Sequence, residues 1–223
     1  MKTNKKELTV FAVCAYAVPF LMMPLLYICL HNGQDTSIFA NAQMFYPAAG
    51  VMLAFLLAKR QDTPKRFYIL YLAAAAVMLA ASVLSAVMPQ AAWLGIANLV
   101  IIIASVLGWI FLLTEKKEKR ETYGLRLHGK LLTALGICVY FLAVKTGMVF
   151  LSVAMQGGEN WAEYLAYWRT SAPWVMAVVL IPNFFLSFLP FFGEEYGWRY
   201  YLTPALQNRF GARRGALAVG VLW

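Results

Sequence analysis

Residues 91–120 read AAWLGIANLVIIIASVLGWIFLLTEKKEKR. No charged side chain interrupts the run from Ala91 to Thr114, and Lys116, Lys117, Lys119 and Arg120 follow almost at once. A bilayer's hydrocarbon core is about 30 Å thick and takes about 20 helical residues to cross. This stretch is long enough. It lacks the dyad alternation of a barrel strand, so a helix must satisfy its backbone polar groups where lipid cannot.

Outward from it, five more stretches have the same character: Leu8–Leu30, Ile38–Ala58, Phe67–Met88, Leu131–Ala154 and Pro173–Phe192. A seventh begins at Gly215. The predicted fold class is an all-α polytopic membrane protein with six complete transmembrane helices plus the start of a seventh. Composition agrees: 62% of the 223 residues are hydrophobic and 13% charged, against about half and a quarter in soluble domains. With 15% aromatic residues, it is no disordered chain either.

Lys and Arg outnumber Asp and Glu by 19 to 10, for a formal charge of +9. Clusters precede the first span (Lys2, Lys5, Lys6) and follow the second (Lys59, Arg60, Lys65, Arg66). Others follow the fourth (Lys116 to Lys130) and the sixth (Arg199, Arg209, Arg213, Arg214). Seventeen of the 19 cations thus share one side, with Arg169 opposite and Lys145 inside a span. The positive-inside rule predicts a cell-membrane protein with its N-terminus and all four clusters in the cytoplasm. The basic charge needs no nucleic acid, and the implied partners are membrane lipids. The first apolar run is too long for a signal peptide, and Ala40-Asn41-Ala42 lies too far beyond it, so it is expected to stay as a span. Cys14, Cys29 and Cys138 have no CxxC spacing and read as packing residues.

Glu115–Lys130 is the longest polar stretch and the predicted boundary between a four-helix region, 1–130, and a second region, 131–223. Trp161, Leu165 and Trp168 stand at helical spacing in the outer loop Met155–Ala172, which predicts a short interfacial helix. Lys145 is expected to snorkel outward. GxGxxG, Walker A, HExxH and GxSxG are absent. Charge-poor spans also disfavour a transporter.

One constellation remains. Glu194 and Glu195 follow the sixth run, with Arg199 four residues beyond Glu195. A kink at Pro190 is expected to carry the pair to the cytoplasmic side. On a helix Glu195 and Arg199 face one another, while Glu194 is rotated by about 100° and left without a cation. Desolvation without a partner raises a carboxyl pKa, as a general base near neutral pH requires. Gly193 and Gly197 leave a stripe of this helix open to close approach by a neighbouring helix or an extended peptide. By spacing alone, a chemical site and a charged helix end both remain open.

The run Glu194-Glu195-Tyr196-Gly197-Trp198-Arg199-Tyr200-Tyr201-Leu202, with Pro204-Ala205-Leu206 and Arg209-Phe210-Gly211, resembles a known signature. It is the first motif of the CAAX protease and bacteriocin-processing family, relatives of the type II CAAX prenyl endopeptidase. Tyr200 departs from the commoner Arg-Gly-x-Leu continuation. The resemblance implies an intramembrane endopeptidase that hydrolyses peptide bonds near the cytoplasmic leaflet. Glu194 would activate the water, and Glu195 with Arg199 would brace the site. The substrate would be a peptide or protein, prenylated or of bacteriocin type. The family's FxxxH and HxxxN or HxxxB motifs supply histidines that stabilise the oxyanion or, in an older view, bind zinc. Trp223 falls at the aromatic position of FxxxH, the histidine beyond it is absent, and neither His31 nor His128 stands in. The expectation is a C-terminal truncation, inactive alone, with the metal left open. The alternative is a non-catalytic membrane protein of the same fold, acting as an immunity, scaffold or chaperone factor.

Overall fold

Every regular element in the computed structural model, which describes residues 4–126, 129 and 131–223, is a helix. The first comprises α1 (Lys5–Ala12), a π-helical segment (Val13–Ala17) and α2 (Val18–His31). Asn4 caps it: its side chain accepts from the Lys6 N–H while Glu7 accepts from the Asn4 N–H. Next come α3 (Ser37–Gln43), α4 (Tyr46–Leu57), α5 (Lys65–Val87), α6 (Trp93–Thr114) and α7 (Lys117–Thr122). Then follow α8 (Leu131–Gln156), α9 (Gly158–Arg169), α10 (Ala172–Leu186) and α11 (Phe188–Glu194). A second π-helical segment (Glu195–Leu202), α12 (Thr203–Phe210) and α13 (Ala212–Leu222) complete the chain.

Among the described residues five helices are long and apolar enough to cross a membrane: Lys5–His31, Ser37–Leu57, Lys65–Val87, Trp93–Thr114 and Leu135–Gln156. By length and composition the number rises to six when Asn160–Arg169 and Ala172–Leu186, bent by 65°, are counted as one span. The single helix expected over Pro173–Phe192 is therefore corrected, because it breaks at Ser187. The kink lies ahead of Pro190, not at it. Proline has no N–H and its ring crowds the carbonyl four residues back, which here is Leu186, the last residue of α10. The same rule ends α3 at Gln43, four residues before Pro47.

Each π-helical segment ends two residues before a proline, Pro19 or Pro204. Proline offers no donor to the carbonyl four back, and an i→i+5 register hands that carbonyl to the next residue. The motif helix, expected to be α-helical, is thus π-helical from Glu195 to Leu202.

The chain divides into two compact units, Met1–Leu125 with Phe185–Trp223, and Arg126–Phe184. Residues 185–223 thus share a unit with the N-terminal helices. In the first unit α4 is apolar and almost wholly buried, and it packs against α1, α5, α11 and the second π-helical segment. A helix apolar all round belongs inside. In the second unit α9 fills the place of the predicted interfacial helix. Its Trp161 meets Phe150 of α8 with ring centroids 4.9 Å apart. Lys145 is exposed on α8. His128 and Lys130 lie outside the described residues.

Candidate functional site

α11 begins at Phe188, two residues before Pro190, and its seven residues end on Glu194. Glycines set how that helix sits. A methyl at Gly193 would collide with the Met44 carbonyl and the Tyr71 hydroxyl, and one at Gly197 with Pro47. The bare stripe thus lies against the break between α3 and α4, and this chain's own backbone fills the close approach expected there. Tyr196, Trp198, Tyr201 and Leu202 are buried, while Glu195 and Arg199 face outward.

Arg199 Nη1 donates to Glu195 Oε2 over 2.6 Å, with side chains 62% and 48% exposed. So wet a pair contributes at most about 1 kcal/mol. The guanidinium also lies 5.3 Å from the Trp223 ring centroid, which brings the end of α13 to the motif. Glu194 is half-buried and has no ion-pair partner among the described residues. Burial, and then the Glu195 carboxylate, push its pKa above the ordinary value. The twin carboxylates are therefore chemically unlike. One is paired and wet; the other is half-buried, with its pKa raised.

Aromatic side chains hold this helix from beneath. Tyr196 stacks on Phe192 at 5.0 Å and on Tyr200 at 4.6 Å. Its hydroxyl donates to the Tyr123 carbonyl at 2.9 Å and accepts from the Tyr68 hydroxyl at 2.7 Å. Burial holds Tyr196 well above the usual tyrosine range, so it stays a neutral donor. Tyr200 donates to the Thr122 carbonyl at 3.2 Å. On the other flank Trp198 meets Phe11 at 5.6 Å and Tyr16 at 5.5 Å. Beneath Tyr201, Arg60 donates to both oxygens of buried Glu7, at 2.8 and 2.7 Å.

Comparison with protein-family models, curated proteins and solved structures found no match. The site therefore stands on its geometry. Its residues do not assemble a zinc donor set: among the described residues no three His, Cys, Asp or Glu come together. His31 instead stacks on Tyr27 at 6.2 Å. An apolar hollow of about 80 Å³ lies between α2 and the α3–α4 break, walled by Met22, Leu26, Phe39 and Tyr46 among others. Neither it nor the cavities of about 470 and 140 Å³ elsewhere in the unit is lined by Glu194, whose shelter comes from helix packing.

The tyrosine ladder and the Glu7–Arg60 pair were not among the predicted site residues. Glu7 does carry a signal, since an acid at the mouth of an apolar run needs a cation. Nothing in the spacing says that the cation comes from the α4–α5 loop.

Proposed function

We propose that the protein is a CAAX protease-like membrane endopeptidase in which Glu194 is the general base. The carrying observation is a half-buried carboxylate with a raised pKa directly beside an ion-paired one. Glu194 takes a proton from water as its oxygen adds to the peptide carbonyl carbon, and passes that proton to the amine as the C–N bond breaks. Glu195 with Arg199 holds the turn that presents it. The topology in this reading has six spans, the sixth running through residues 173–192 with its break at Ser187 and ending before Glu194, and a cytoplasmic N-terminus. The substrate is a membrane-proximal peptide of prenylated or bacteriocin type.

A second reading is a non-catalytic membrane protein of the same fold, with EExxxR as a solvated helix end. The exposure of Glu195 and Arg199 favours it. Cleavage of membrane-anchored peptide reporters by the product of the full coding frame separates the two. In the catalytic reading Glu194→Gln lowers kcat/KM by about 10²-fold or more, and the wild-type rate rises with pH as Glu194 loses its proton. Cleavage that survives Glu194→Gln, or no cleavage by a folded wild type, supports the second reading.

A further inference from the structure

The loop between α4 and α5 turns through two left-handed residues, Lys59 (φ 49°) and Asp62 (φ 55°). Together with the start of α5 and the end of α6 it walls a cavity of about 470 Å³, within the range of about 300–1,000 Å³ for small-ligand sites. Four cations line it: Lys65 and Arg66 from the first turn of α5, and Lys116 and Lys119 from beyond α6. The opposing acids are Asp62 and Glu115, and Glu115 lies 4.0 Å from the Lys119 ammonium. Lys65, Arg66 and Lys116 form no ion pair among the described residues.

A second, independent feature sits in the same wall. Thr63 lines the cavity and is only 3% exposed, and its hydroxyl has no hydrogen-bond partner among the described residues. Buried hydroxyls are nearly always satisfied, so an orphan on a residue that walls a polar cavity calls for a ligand. The positive end of the 23-residue helix α5 adds to the field of the cations. Residues with hydroxyl, guanidinium and ammonium donors line one cavity from different elements, which suits an anion with several oxygens rather than a halide. The cavity also lies at the ends of two span-length helices, α5 and α6, at head-group height when these cross a bilayer.

We propose that this cavity binds a phosphate-bearing anion, either the phosphate of an anionic lipid head group or a soluble phosphate. The test reads unfolding midpoints and does not depend on peptide hydrolysis. Inorganic phosphate is titrated into the protein in a neutral detergent, with chloride holding ionic strength constant. Separately, the protein is placed in nanodiscs of phosphatidylcholine with or without phosphatidylglycerol. A soluble source gives saturable stabilisation by inorganic phosphate; a lipid source gives stabilisation by phosphatidylglycerol that inorganic phosphate does not reproduce. In either arm Thr63→Val weakens the apparent affinity by about tenfold, the loss of one charge-assisted hydrogen bond. Thr63→Ser keeps the affinity, and Lys65→Gln/Arg66→Gln/Lys116→Gln, all at exposed positions, abolishes the effect. The proposal is overturned if neither anion stabilises saturably, or if Thr63→Val and the triple variant both respond like the wild type.

Discussion

Glu194 and Glu195 are adjacent in sequence, yet the helix turns one toward its packing partners and the other toward Arg199. Because burial and the second carboxylate raise the Glu194 pKa in the folded chain, the protonated form is the one that folding favours. That contribution is fully present below the ordinary carboxylate range and is lost as pH rises through the raised value. Glu194→Gln, which keeps the shape and removes the charge, therefore stabilises the protein at neutral pH, by roughly a few tenths of a kcal/mol given solvent screening. The gain disappears once Glu194 is protonated in both folded and unfolded chains. Unfolding midpoints of the two proteins across an acid-to-neutral series check this, and a Glu194→Gln variant less stable at neutral pH would contradict it. At this scale the Glu195–Arg199 pair was legible, because an i,i+4 spacing on a helix needs no tertiary knowledge. The Tyr196 hydroxyl bridge was not, since Tyr68 and Tyr123 reach it from distant parts of the chain.

Two helix breaks in this protein lie just ahead of prolines and are joined through glycines. Pro47 and Pro190 each end the preceding helix four residues upstream, and the two breaks then pack together through Gly193 and Gly197. The neighbours at Gly193 include the Met44 carbonyl, and those at Gly197 the Pro47 backbone. Backbone does not swing aside as a flexible side chain does. Gly193→Ala and Gly197→Ala are therefore expected to destabilise by about 1–3 kcal/mol or more each, the cost of overpacking a tight contact. Gly136→Ala on α8, where an added methyl meets nothing within 4 Å, should change stability by less than about 1 kcal/mol. Detergent unfolding midpoints of the three variants decide it; equal effects would mean that the glycine seam carries no packing. The apolar runs were readable as helices from their length alone. Where they break was less so, because the clash belongs to the residue four before the proline, and the π-helical register depends on which carbonyl is left to serve.

On the scale of the whole molecule, the distribution of charge carries the most information. The Lys and Arg clusters flank the helices at alternate ends, which is why orientation could be proposed from sequence, whereas the return of residues 185–223 to the N-terminal helices could not. That return is made by buried aromatic contacts such as Phe11 with Trp198 and Phe67 with Phe192, which have no linear signature. Single-cysteine labelling tests the orientation, with Cys14, Cys29 and Cys138 replaced and neutral positions chosen so that the cation balance is untouched. Asn32→Cys and Thr170→Cys should react with an impermeant maleimide on intact cells. Gln61→Cys and Thr122→Cys should react only after permeabilisation, as the positive-inside rule requires. Asn208→Cys, in α12 beyond the π-helical motif, decides between five and six spans. If α10 and α11 return the chain across the bilayer, Asn208 labels from the cytoplasm and Glu194 stands at the inner leaflet. If the bent α9–α10 pair only dips into the membrane, Asn208 labels from outside, and a base acting at the cytoplasmic leaflet is excluded.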